Sequence, residues 1–215
     1  MKTTIYLIRH SKKLSMNLIE RYYNDEFYQL TREKRILSTN GEEKARKLSE
    51  NKEFENLDVI YSSNYVRAIQ TAKYFAEKQN VIINIDKGLN ERKYGNPEKS
   101  IDIGIQQYYD ENIKNIDGES RKEVTERIYK SFLNIINRNR GKRIAIFSHG
   151  AAITFLLMKW CELVSITKDK KKCLKFNNKI IVNKIFEAPE TFKIIIDEKN
   201  NIESIENLSL NDIKN

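Results

Sequence analysis

The stretch Thr3-Thr-Ile-Tyr-Leu-Ile-Arg-His10 decides how the rest of the chain is read. Five of its residues are β-branched or aromatic, and then Arg9, His10 and Ser11 end the run abruptly. This pattern predicts a buried strand that delivers a guanidinium and an imidazole to its C-terminal end. In open α/β sheets, ligands bind just outside the carboxyl ends of the strands. A second run of the same shape lies far downstream, Arg143-Ile-Ala-Ile-Phe-Ser-His149-Gly150. The sequence holds only two histidines, and both stand at such strand ends. A lone histidine is more often a core or surface residue; two placed alike point to a site.

The elements around these strands alternate. Residues 11–39 are polar and tyrosine-rich, a long loop with some helix. Asn40-Gly41 reads as a turn and N-cap ahead of a helix over 42–52, with Ala45 and Leu48 inward. A short strand, Asp58 to Ser62, precedes a helix that starts near Tyr65 behind Ser63-Asn64, with Val66, Ile69, Tyr74 and Phe75 facing the core. Val81 to Ile85 reads as a third strand. The polar stretch 92–120 carries no strand signal and reads as a short, partly helical lid insertion. Gly118-Glu-Ser120 opens a helix whose Val124, Ile128, Phe132 and Ile135 fall at helical spacing. After His149, residues 151–163 continue as the most apolar helix. Residues 179–196 alternate around Ala188-Pro189-Glu190 and read as a C-terminal hairpin. Strand–helix alternation without a repeat or linker predicts one domain over 1–215, a three-layer α/β/α sandwich on a mainly parallel central sheet.

Composition narrows the function classes. The chain has 215 residues, 40% hydrophobic and 32% charged, with a net charge of +9. That charge admits an anionic partner, but the lysines are dispersed and the densest run, Lys168 to Lys175, is short. No RRM, KH or helix-turn-helix pattern accompanies it, so nucleic acid is not the expected partner. The longest apolar stretch, Ala151 to Met158, is too short to span a bilayer. Met1-Lys2 leads straight into the first strand, so no signal peptide is expected. Cys161 and Cys173 have neither a CxxC spacing nor a disulfide framework, which suits a reducing cytoplasm. Cys161 reads as a small core residue. No compact ligand motif predicts a metal.

Five short motifs, in order, resemble the histidine phosphatase superfamily, also called phosphoglycerate mutase-like. They are Arg9-His10, the segment Ser62-Ser63-Asn-Tyr-Val-Arg67-Ala-Ile-Gln-Thr71-Ala72, Leu89-Asn90-Glu91-Arg92, Gly118-Glu119-Ser120 and Ser148-His149-Gly150. The resemblance covers roughly residues 1–160. It implies that His10 is a nucleophile, that Arg9, Arg67, His149 and Gly150 hold a phosphoryl group, that His149 assists catalysis and that Glu91 is the proton donor. It implies no cofactor and no metal.

The residue chemistry is compatible with those roles. A phosphoryl group in transfer spreads charge over three equatorial oxygens, which guanidinium and imidazole donors can hold from several directions. Neighbouring cations favour the neutral form of a histidine, leaving a lone pair for attack. Glu119 reads instead as helix-start charge. The sequence departs from the family pattern after the nucleophile: Ser11 replaces a glycine, Lys13 and Met16 stand where Ser or Thr and Asn are common, and Asn17 comes one residue late.

The expected activity is a cytoplasmic phosphomonoesterase working through a phosphohistidine on a small phosphorylated metabolite or phosphopeptide. The alternatives are a phosphoglycerate mutase, which the run Glu91-Arg-Lys-Tyr-Gly95 echoes, and an inactive phosphate-binding protein. Between Tyr94 and Gly118 there are no paired arginines of the kind a mutase uses to grip a carboxylate, which favours the phosphatase. The sequence leaves oligomeric state open, a homodimer included.

Overall fold

The computed structural model describes residues 1–15, 25–96, 99 and 101–208. The loop positions Met16 and Asn17 therefore lie outside the described residues. In chain order the elements are β1 (Thr3–Arg9), α1 (Asp25–Lys34), α2 (Thr39–Ser49), β2 (Val59–Ser62), α3 (Val66–Gln79) and β3 (Ile83–Ile85). Then come α4 (Gln106–Tyr109), α5 (Arg121–Arg138), β4 (Arg143–Ser148), α6 (Gly150–Leu157), β5 (Glu162–Ile166) and β6 (Lys172–Phe176). The last are β7 (Lys179–Lys184), β8 (Glu190–Ile196) and β9 (Ile202–Leu208), with single 3-10 turns at Lys52–Phe54 and Lys87–Leu89.

The main sheet runs β3-β2-β4-β1-β8-β9. Its first four strands are mutually parallel, while β8 and β9 add on antiparallel. Successive side chains of a strand point to opposite faces, and the two faces here are both covered. Ile5, Leu7, Ile144 and Ile146 pack on one side with Val124, Ile128, Phe132 of α5 and Ala152, Ile153, Phe155 of α6. Tyr6, Ile8, Ala145 and Phe147 pack on the other with Leu48 of α2 and Ala68, Ala72, Phe75 of α3. Double coverage explains why both central strands read as continuous apolar runs.

The topology also places the site. The chain leaves β1 toward the α2/α3 face and leaves β4 toward the α5/α6 face, yet β1 and β4 are neighbours. Their C-terminal ends therefore border a crevice from which the chain departs on both sides, the usual ligand position in such sheets.

Several elements differ from the sequence reading. The helix expected over 42–52 begins at Thr39, because the Ser38 hydroxyl caps it by accepting from the Gly41 amide at 3.1 Å. Gly41 thus lies inside the first turn, where a Cβ would fall 1.9 Å from the Lys12 carbonyl oxygen. The inward face of α3 is Arg67, Ala68, Thr71, Ala72 and Phe75; Val66, Ile69 and Tyr74 are half-buried. The third strand starts at Ile83 rather than Val81. The helix after His149 ends at Leu157, and Glu162 already begins a strand of a second sheet.

The expected 179–196 hairpin does not form. β7 pairs with β6 in a separate three-stranded sheet, β5-β6-β7, whereas β8 pairs with β1 and β9. Alternation in two adjacent segments shows that both are strands, but their partners are set by non-local packing. Within 92–120 the described residues contain one helical turn, α4. Helix α5 starts behind Ser120 with a full capping box to Glu123. Among the described residues, no helix is long and apolar enough to cross a membrane.

Candidate active site

Register brings the two histidines together. Arg9 lies opposite Ser148 across the β1–β4 ladder, and the His10 amide donates to the Ser148 carbonyl at 3.0 Å. The two imidazole rings end 5.1 Å apart, centre to centre, and both are buried.

Hydrogen bonds assign their tautomers. His10 Nδ1 lies 2.7 Å from the Ser11 carbonyl, an acceptor, so Nδ1 carries the proton and Nε2 keeps its lone pair. Arg67 donates from Nη2 to His149 Nδ1 at 3.1 Å, so that nitrogen is the acceptor. His149 Nε2–H then donates to the Ser63 hydroxyl at 2.7 Å. Burial, then Arg67 and Arg9, hold the His10 pKa well below its ordinary value. Burial, Arg67 and His10 do the same to His149, so both rings are neutral.

The cations come from separate elements. Arg9, at the end of β1, donates from Nη1 to the carbonyls of Phe186 and Glu187 at 2.7 and 2.8 Å. Its guanidinium lies against Gly150, where a Cβ would stand 3.3 Å from Nε. Arg67, in the first turn of α3, donates from Nη1 to the Arg32 carbonyl at 2.6 Å. Burial pushes its pKa down to about 10, partly offset by Glu91, so it stays charged at neutral pH. Among the described residues, the buried nitrogens Arg9 Nε and Arg67 Nε have no hydrogen-bond partner, and neither does Nη1 of the neighbouring Arg92. Unpaired buried N–H groups are costly unless a ligand satisfies them.

Glu91 is the carboxylate among these cations. It accepts from the Arg92 and Ala152 amides at 3.0 and 3.1 Å and from Ala151 at 3.4 Å. Two of these donors are amides in the first turn of α6, where the helix itself offers no acceptor. The segment that carries Glu91 is held on two sides. Ser148 donates through its hydroxyl to the Leu89 carbonyl at 2.7 Å, and Arg127 of α5 donates to the carbonyls of Gly88 and Asn90. Arg127 is paired in turn with Glu119 at 2.8 Å. Glu119 is thus a strut for this loop, and the helix-start carboxylate is Glu123.

All six residues singled out in the sequence, Arg9, His10, Arg67, Glu91, His149 and Gly150, meet in this crevice. The Ser11 hydroxyl donates to the Gly41 carbonyl at 2.7 Å and its amide donates to Thr71 Oγ1 at 3.0 Å, so a serine fits without an unpaired group. Lys13 stands at the mouth. Crowding by protein atoms, then Arg35, Arg67 and Arg32, lower it to about 8, although its side chain stays exposed and water screens part of the effect.

Three contributors were missed in the sequence. Ser63 is the partner of His149, not a cap. Tyr65 packs edge-on to His149 at 4.8 Å and under Arg67 at 4.7 Å. Lys172 arrives from β6, close enough for the charges of Arg9 and Glu91 to act on it, with no local motif to announce it. Among the described residues, no group of His, Cys, Asp or Glu side chains could hold a metal ion.

Chemically, the crevice presents one imidazole lone pair, a second imidazole, guanidinium donors from several directions and one carboxylate. That set suits a tetrahedral oxyanion approached by a nitrogen nucleophile.

Comparisons with known proteins identify the fold and the family. Solved structures of the same fold include a mycobacterial glucosyl-3-phosphoglycerate phosphatase (TM-score 0.65, 16% identity, 97% of each chain covered). A phosphoserine phosphatase of Entamoeba histolytica in complex with phosphoserine matches with a TM-score of 0.63 and 19% identity over 95% of this chain and 96% of that one. YhfR of Bacillus stearothermophilus matches at 0.66 and 20% identity over 94% of both. At these identities the likeness is one of fold. No curated protein matches the sequence. The family model of the histidine phosphatase superfamily, branch 1, matches residues 5–178, and the chain therefore belongs to that superfamily.

Proposed function

We propose that the chain is a metal-independent phosphomonoesterase that acts through a phosphohistidine on His10, with a small phosphorylated metabolite or phosphopeptide as substrate. The observation that carries this reading is the state of His10: neutral, with Nδ1 engaged by the Ser11 carbonyl and Nε2 left as a lone pair, beside Arg9, Arg67 and His149. The phosphatases of like fold, whose names record phosphoserine and glucosyl-3-phosphoglycerate as substrates, support a phosphomonoester.

In the proposed reaction His10 Nε2 attacks phosphorus while the bond to the leaving oxygen breaks. The Glu91 carboxyl gives that oxygen a proton. Arg9 and Arg67 hold equatorial oxygens, including through Nε–H groups that have no partner among the described residues, and His149 Nε2–H turns from the Ser63 hydroxyl to the remaining oxygen. Water then attacks the phosphohistidine and gives a proton to the Glu91 carboxylate, releasing phosphate and restoring His10. Covalent catalysis splits one difficult displacement into two.

The test is phosphate release from a panel of phosphomonoesters without added metal, together with trapping of the enzyme during turnover. An acid-labile, base-stable phosphate on His10 is expected. Full activity in His10→Ala would sink the mechanism. Hydrolysis is expected to outrun exchange: 3-phosphoglycerate with a catalytic amount of its bisphosphate should yield little 2-phosphoglycerate. Rapid isomerisation would make the chain a mutase instead.

A further inference from the structure

The run Lys168 to Lys175, the densest positive stretch of the sequence, buries one of its lysines. Lys172 is 7% exposed, while Lys168, Lys170 and Lys171 around it are exposed. Its ammonium sits between two aromatic faces, 4.4 Å from the Phe186 ring and 5.9 Å from the Tyr108 ring. Phe186 is the residue whose carbonyl receives Arg9, so Lys172 stands one side chain away from the crevice.

Neighbouring lysines have carboxylates. Lys175 pairs with Glu162 at 3.2 Å and Lys184 with Glu190 at 3.0 Å. Among the described residues Lys172 has neither an ion pair nor a side-chain hydrogen bond, only the two rings. The carboxylates that face it are already engaged. Glu91 accepts from amides of Arg92, Ala151 and Ala152. Glu190 accepts from the Glu187 amide and from Asn207 besides Lys184. An ammonium carried on a buried side chain with no counter-charge is costly to desolvate, and aromatic faces offset only part of that cost.

Position separates Lys172 from the groups assigned to the phosphoryl oxygens. Those groups project from β1, α3 and the β4–α6 junction of the main sheet. Lys172 comes from the second sheet and Tyr108 from the 92–120 segment, and the charge of Glu91, the group assigned to the leaving oxygen, reaches both, which puts them toward the leaving-group side. One ammonium with two apolar faces matches a single negative charge. A second phosphate would bring about two charges and need more donors than this slot has.

Building on the phosphomonoesterase reading, we infer that Lys172 is a specificity residue that binds a carboxylate on the leaving-group portion of the substrate. The substrate class is then a phosphorylated carboxylic acid.

The test compares esters that differ at the carboxylate: 3-phosphoglycerate against glycerol 3-phosphate, and O-phosphoserine against O-phosphoethanolamine. Glycerate 2,3-bisphosphate is the arm with a second phosphate. In the wild-type chain, kcat/KM for each acid should exceed that of its partner by about tenfold or more, the worth of one hydrogen bond to a charged group. Lys172→Met should collapse that ratio toward one, whereas Lys179→Met, at an exposed position on β7, should leave it unchanged.

The wild-type pH profile supplies an independent measurement should Lys172→Met not fold. Burial, Arg9 and Lys170 lower Lys172 to about 8, against Glu91 and Glu190; Tyr108 also faces it. The ammonium is present below that value, so the acid-to-neutral ratio should hold at about pH 7 and fall above about pH 8. Effects common to both esters cancel in the ratio.

A wild-type ratio near one, a ratio that survives Lys172→Met, or a ratio flat to about pH 9.5 would overturn the inference and leave the phosphatase reading standing. A bisphosphate preferred over both acids, with the preference lost in Lys172→Met, would overturn the carboxylate assignment. Failure to release phosphate from any ester, p-nitrophenyl phosphate included, would instead bring down the underlying reading.

Discussion

Arg67 Nη2 donates to His149 Nδ1 at 3.1 Å, so one guanidinium sets the tautomer of the second imidazole while its Nε has no partner among the described residues. The Ser63 hydroxyl closes the arrangement on the far nitrogen at 2.7 Å. Arg67 is anchored through Nη1 to the Arg32 carbonyl at the end of α1. The group proposed to hold phosphate is thus oriented before any anion arrives, which lowers the cost of binding.

Arg67→Ala should therefore remove an anion donor and release His149 together. Loss of one such donor typically costs about 100- to 1,000-fold in rate. Vanadate affinity should fall as well. Because the two residues act through one contact, the double variant Arg67→Ala/His149→Ala should lose less than the product of the single losses. Strictly multiplicative losses would mean that the contact has no role in activity.

Glu91→Gln keeps the side-chain shape and removes the proposed proton donor. An alkoxide leaves poorly without a proton, whereas nitrophenolate needs little help. General acid assistance is worth about 100- to 10,000-fold, so alkyl phosphates should slow by that range and p-nitrophenyl phosphate much less. The comparison uses kcat/KM, which reports the first chemical step. Equal losses on both substrates would make Glu91 a residue that merely positions α6 and the Arg92 loop.

The buried neutral histidines should make stability depend on pH. Their folded pKa values lie well below the ordinary value, so below about pH 6.5 the unfolded chain binds protons that the folded chain refuses. This contribution is fully present above about pH 6.5 and is lost as pH falls toward the folded values. Each histidine adds a slope of about 1.4 kcal/mol per pH unit in that window. Urea unfolding in phosphate-free buffer at several pH values should give a shallower slope for His149→Asn than for the wild type. An unchanged slope would mean that His149 takes up its proton in the folded state too.

Gly41→Ala should destabilise the fold, against the usual trend for helices. In an exposed helix interior the change gains about 1 kcal/mol. Here the new Cβ would fall 1.9 Å from the Lys12 carbonyl oxygen, which also receives the Ser38 amide. Overpacking of this kind costs about 1–3 kcal/mol, and urea midpoints read the sign directly. Because Lys12 lies between Ser11 and Lys13 in the loop after His10, kcat/KM should drop as well. A more stable, fully active variant would show that the loop yields freely.

Whatever depends on neighbours in the chain was legible from the sequence. The apolar runs that end in Arg9-His10 and Ser148-His149 identified two strands and the ends that border the candidate site, because side-chain alternation and burial are read residue by residue. The Gly118-Glu-Ser120 start and the spacing of Val124, Ile128 and Phe132 announced α5 for the same reason. The boundaries of α2 and α6 were missed, because the first depends on the Ser38 cap and the second on where β5 begins.

Only the tertiary structure decided what meets across long separations. The register of β1 against β4 sets the 5.1 Å between the histidine rings. Pairing energies between strands are non-local, so alternation in 179–196 could not tell that β7 joins β6 while β8 joins β1. Ser63 moved from a supposed cap to the partner of His149, and Lys172 moved from a charged surface run to a buried slot beside Arg9. A side chain's charge is written in the sequence, but its dielectric surroundings and its partners are created by packing, and those determine what the charge can do.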